Sequence, residues 1–199
     1  MSTDDENELY QAFLESGETR LIAPAENNVP SVEFRHGGGW RECRIWEGYL
    51  DASSFLLREV LREYPRANNL IFPAMFNLRH GIEVSLKWHI KYAGGVVPAR
   101  AGHNLRVLLK TLQEAVNDEG GGDDEKGYLL FYFSKIVFEL DPVDPRATAF
   151  RYSTELDGSP IEIEPSEWDL RHLYFVVSDL PVYLDNLSSM IDRNNTEEN

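Results

Sequence analysis

The chain has 199 residues, 42% of them apolar, enough for one domain with a sizeable core. Its formal net charge of −15 is unevenly spread: 11 of the 34 acidic residues lie in the two ends and around a Gly-rich stretch, leaving the body at about −4. That balance argues against non-specific binding to nucleic acid, though not against a local basic site. The single cysteine, Cys43, excludes an internal disulfide and a cysteine-rich zinc centre.

The opening "MSTDDENEL" is acidic and lacks the apolar stretch of a signal peptide. No window approaches the ~18 apolar residues that span a bilayer. A cytoplasmic protein without membrane association is expected. Residues 1–20 read as a disordered acidic tail, with a short helix able to start at Tyr10–Leu14. Residues 21–48 mix "APAENNVP" with the Gly-rich "RHGGGWRECRIWEG" and read as an irregular arm with a short strand pair.

Helices follow. Asp51–Arg62 carries Phe55, Leu56 and Val60 at helical spacing, and Pro65 stops it. The second helix is expected from Pro73, a first-turn proline, to Tyr92 before Gly94-Gly95. The third starts near His103–Asn104 and runs to Val116, with Leu105, Leu108, Leu109 and Leu112 on one face. After the acidic Gly-rich loop, Glu125–Leu140 reads as the fourth; its length without a turn signal favours helix over strand. Next, "DPVDPRATAFRYSTELDGSPIEIEP" predicts a loop and a β-hairpin over Tyr152–Ile163, turning at Asp157-Gly158. The last helix runs from Trp168 to Ile191, with a kink or break at Pro181, and residues 193–199 read as a tail. The fold class is therefore mainly α: an up-and-down bundle of about five helices with a small β-hairpin, forming one domain over residues 21–192.

The second helix holds the candidate chemistry. At about 100° per residue, Met75, Leu78, Ile82, Leu86 and Ile90 share one arc, and Arg79 falls inside it. Glu83 and Lys87 step outward from that arc. A buried guanidinium needs a partner, and Glu83 stands at the spacing that lets the two meet. The pair either fixes packing or belongs to a polar site beside the core. His89 points inward and reads as a core histidine, whereas His80 reads as exposed and idle. His103 and Asn104 open a helix, where free N–H groups gather, and either can cap it or serve a site there. Arg151, between Phe150 and Tyr152, is placed to close over the bundle as a lid or to sit on its surface.

"RHGIEVSLK", a short glycine-containing loop and "GHNL" at the next helix start resemble the HEPN superfamily of helical-bundle proteins. The later "ELDPVDPRATAFRYSTELDG" is similar to an "FRYP"-type segment in some HEPN-like proteins, with Ser153 in place of the proline. The resemblance covers roughly residues 51–191. It implies an RNA-associated protein of a bacterial defence or toxin–antitoxin system, a metal-independent endoribonuclease or a non-catalytic module that binds or regulates a protein partner. It further implies an RNA or nucleotide ligand, an antitoxin or effector protein as partner, a homodimer, and no metal or cofactor. The nuclease signature of that superfamily, Arg and His separated by four to six residues, is absent at all five histidines; Arg100 and His103 have only two residues between them. Arg79 and His103 remain as candidate catalytic residues, a cation on the phosphate and a base near the 2′-hydroxyl. Glu83, Lys87, Asn104 and Arg151 are candidate binding residues. By helix rise, His103 is expected about two turns from Arg79 and nearer Lys87, an offset that a dimer could bridge.

Overall fold

A computed structural model of the chain describes residues 3–17, 21–22, 34, 37–118 and 123–197. Among these the protein is mainly helical, with six α-helices and no strand. The chain divides into two compact units, residues 1–36 and 37–199.

The first unit contains α1 (Thr3–Ser16), which has no buried residue. Its first turn carries Asp4, Asp5 and Glu6, which suit the positive end of a helix dipole. A helix thus stands where the sequence suggested a tail with, at most, helix from Tyr10. Of the arm expected to hold a short strand pair, residues 23–33 and 35–36 lie outside the described residues.

The second unit holds the core. Helix α2 spans Gly38–Arg62, so residues 38–48 of the supposed arm are helical. The reason lies in spacing: Trp46, Leu50, Ser53, Leu57 and Val60 are buried along one stripe. A single 3₁₀ turn, Tyr64–Arg66, reverses the chain into α3 (Ala67–Tyr92). α3 begins six residues before Pro73, which lies inside it rather than at its first turn. α2 and α3 run antiparallel, as cross-links at both ends show: Ser53 Oγ donates to the Ala74 carbonyl at 2.9 Å, and Trp88 Nε1 donates to the Gly39 carbonyl at 3.0 Å. Gly81 lets the two helices close up, since a Cβ there would lie 2.9 Å from Leu50 Cδ2.

Helix α4 (Leu105–Asp118) packs on α3, and α5 (Asp123–Val143) packs on α4. α6 (Leu170–Glu197) lies against α2, α3 and α5. It is one α-helix through Pro181, and it continues past Ile191 into the segment expected as a tail. His89 on α3 is fully buried and ties to α6. Its Nδ1 lies 2.8 Å from the Ser85 carbonyl and its Nε2 lies 3.1 Å from Ser188 Oγ.

The predicted β-hairpin is not formed as strands. One bridge joins Thr154 to Pro160 around the Asp157-Gly158 turn, and the segment is otherwise irregular. Asp157 takes hydrogen bonds from the Ser159 backbone and hydroxyl, which stabilise the turn locally without a ladder. Of the flanking aromatics, Phe150 is buried against Trp168 while Tyr152 is exposed. No helix among the described residues is long and apolar enough to cross a membrane.

Candidate functional site

Arg79, Glu83 and Lys87 follow one another at four-residue spacing along α3, and the loop after α3 decides what meets them. Gly94 adopts a left-handed conformation (φ 69°), which ends the helix, and the Gly95 N–H caps the Ile90 carbonyl at 2.8 Å. A turn from Pro98 to Ala101 and a second left-handed glycine, Gly102 (φ 53°), then carry the chain back beside the middle of α3. Asn104 caps α4 by accepting the Val107 N–H at 2.9 Å, so its side chain is committed to the helix start.

His103 therefore arrives at Glu83. Its Nδ1 lies 3.0 Å from both carboxylate oxygens. Lys87 Nζ donates to Glu83 Oε1 at 2.6 Å, and Arg79 Nη1 donates to Oε2 at 3.2 Å. The carboxylate is buried, with 3% of its side chain exposed, whereas the His103 side chain is 60% exposed and that of Lys87 32%. Burial pushes the Glu83 carboxyl up, but the bonds from Lys87 and His103 outweigh it and hold it below the ordinary carboxylate value. Glu83 is thus an anion with three cationic or proton-bearing neighbours.

Arg79 is more deeply sunk, 1% exposed. Its Nη2 donates to the His103 carbonyl and its Nε donates to the Asp144 carbonyl at 3.3 Å. One guanidinium therefore ties α3 to the start of α4 and to the end of α5. Burial pulls it down from the ordinary arginine value, while Glu83 and then Asp144 pull it back up. The Asp144 carboxylate is itself spent on the Thr148 and Ala149 N–H groups, at 2.7 and 3.0 Å. The expected burial and pairing of Arg79 with Glu83 is present. The expected two-turn gap to His103 is not, because the loop runs back along α3, and the four residues converge within one chain.

His80 sits differently from expectation, and Arg151 takes the surface position that was one of its two alternatives. His80 is half-buried: its ring stacks on Phe76 with centroids 5.7 Å apart and meets Tyr49 edge-on at 4.6 Å. Burial lowers its pKa, and Glu83, Lys87, Arg79 and His103 all lie close enough to act on its charge. Sequence reading set His80 aside, although its place next to Arg79 was a signal that it bordered the same site. Arg151 is exposed, donates to the Ala147 carbonyl at 2.7 Å, and lies over Phe76 at 5.9 Å and Tyr152 at 5.3 Å. It borders α3 at Phe76, and among the described residues no hydrogen bond or ion pair joins it to Glu83, Lys87 or His103.

An exposed imidazole whose Nδ1 rests on a buried carboxylate has its Nε2 free to accept or carry a proton, which is the arrangement of a general base. Lys87, bonded to Glu83 and 32% exposed, is the cation beside this pair that an anion can reach. The Arg79 guanidinium has no open face for a phosphate. Among the described residues no group of three or more His, Cys, Asp or Glu side chains is placed to hold a metal ion. Compared with family models, curated proteins and solved structures, the chain matches none.

Proposed function

We propose that this chain is a HEPN-like, RNA-associated protein that cleaves single-stranded RNA without a metal, with the Glu83–His103 pair as its working element. The observation that carries this reading is the exposed His103 ring held by Nδ1 on the buried Glu83 carboxylate. His103 Nε2 takes the proton from a ribose 2′-hydroxyl, and the freed 2′-oxygen attacks the adjacent phosphorus. The bond to the 5′-oxygen breaks, that oxygen gains a proton from water, and a 2′,3′-cyclic phosphate remains. Lys87 balances charge on the phosphate, taking the role that sequence reading gave to Arg79. Arg79 acts as a positioning residue through the His103 carbonyl and the Glu83 carboxylate.

The second reading is a non-catalytic helical module that binds a protein partner of a defence or toxin-type system. It is favoured by the commitment of Arg79 to two backbone carbonyls and a carboxylate, which is how a structural arginine is used.

The deciding experiment incubates the purified chain with single-stranded RNA in a metal chelator, beside His103→Ala and Lys87→Ala variants. The His103 carbonyl survives any substitution at that position, so the variant removes the ring and keeps the clamp on Arg79. Loss of the ring should slow cleavage by about 10²–10⁴-fold, the usual worth of a general base. No cleavage by folded wild-type protein, or cleavage indifferent to His103→Ala, would leave the binding-module reading in its place.

A further inference from the structure

A cavity of about 510 Å³ opens between α3, the end of α5, the segment at residues 164–169 and the first half of α6. That volume falls within the range of pockets that take small organic ligands. Its walls include Leu78, Leu140, Leu173 and Val176, so its body is apolar. Trp168 forms one side and is fixed in place, with its Nε1 donating to the Pro165 carbonyl at 2.6 Å and its ring edge-on to Phe150.

The mouth is anionic. Glu139, Glu164 and Glu167 line it and are exposed, and among the described residues none of the three forms an ion pair with a basic side chain. Asp169 also lines it, but its carboxylate caps α6 through the Arg171 and His172 N–H groups. The basic group in the lining is His172. Three uncommitted carboxylates around an apolar cavity repel organic anions and attract cations, in keeping with the net charge of the chain.

We propose that this cavity binds a small molecule with a compact apolar body and a positively charged amine. The apolar body enters between Leu78, Leu140 and Val176, where the gain is removal of apolar surface from water. The ammonium stays at the mouth, in contact with solvent and the three glutamates. Trp168 offers a ring against which a cation can rest. The proposal is independent of the RNA reading, because the cavity shares no residue with Arg79, Glu83, Lys87 or His103.

The test is calorimetric titration of the full chain with three compounds of one shape and different charge: 1-naphthylmethylammonium, 1-naphthylmethanol and 1-naphthoate. The expected order of affinity is ammonium, then alcohol, with the carboxylate weakest. A Glu139→Gln/Glu164→Gln/Glu167→Gln variant, changed at exposed positions only, should bind the ammonium about tenfold more weakly while its binding of the alcohol is unchanged. Val176→Trp should abolish binding of all three by filling the cavity, with folding checked by circular dichroism. Equal affinities for the three compounds, or no binding of the ammonium to wild-type protein, overturns the proposal. So does ammonium binding that survives the triple variant undiminished.

Discussion

Replacing Glu83 by alanine tests the central energetic claim about α3. Glu83 is the carboxylate that faces the Arg79 guanidinium, and both side chains are almost wholly buried, 3% and 2% exposed. After the substitution Arg79 keeps two carbonyl acceptors, His103 and Asp144, but loses its counter-charge. An uncompensated buried charge costs about 3–5 kcal/mol. For a domain of this size each kcal/mol lowers the melting temperature by about 2–4 °C, so a fall of about 6–20 °C is expected. Lys87→Ala is the internal comparison: it removes the partly solvated neighbour of the same carboxylate and should cost less than about 1 kcal/mol. Urea denaturation with two spectroscopic probes supplies both numbers. A Glu83→Ala cost below about 1 kcal/mol with an unchanged slope would show that the guanidinium is reached by water and that the pair is not a buried one.

His89 should give the chain a pH-dependent stability. Its ordinary value is 6.5 and burial pulls it to about 4, so between those values the unfolded chain binds a proton that the native state refuses. Stability should fall by about 3 kcal/mol as pH drops from about 6.5 to about 4, with half-buried His80 adding in the same direction, and a His89→Asn variant should lose most of that slope in urea titrations. Gly81→Ala should destabilise by about 1–2 kcal/mol, because the added methyl meets Leu50 Cδ2 at 2.9 Å and overpacking outweighs the gain in helix propensity; a more stable variant would mean that α2 and α3 separate easily.

The sequence made α3 legible in part: burial of Arg79 follows from its angular place beside Met75, Leu78, Ile82 and Leu86, whereas Glu83, which steps outward from that arc, is buried as the partner the guanidinium needs. The same logic applied to α2 and failed for its first half. There the apolar stripe is thin, carried by Trp46 and Leu50, and Gly37, Gly38 and Gly39 mask the helix start. The meeting of His103 with Glu83 was misjudged for another reason. Helix rise fixes where α3 ends, but the path of residues 93–104 depends on left-handed glycines and a local turn whose direction no periodicity encodes. The Asp144 carbonyl was out of reach altogether, since a backbone acceptor has no side-chain signature. For the segment after α5, alternation in "FRYSTELDGSPIEIE" signalled strands, yet among the described residues there is no further strand for the segment to pair with. One bridge at Thr154–Pro160 is all that an isolated turn sustains.

The Arg79 clamp also bears on the order in which the molecule assembles. α2 and α3 are joined by four residues, Glu63 and the 3₁₀ turn Tyr64–Arg66, and can zip together as neighbours in sequence. The acceptors of Arg79 lie 24 and 65 residues away, so the clamp closes only after α4 and α5 have docked. We expect loosening the clamp to leave the refolding limb of a chevron plot in place and to raise the unfolding limb. On that account Arg79 governs how long each molecule persists once folded, and the α2–α3 hairpin governs how quickly it forms.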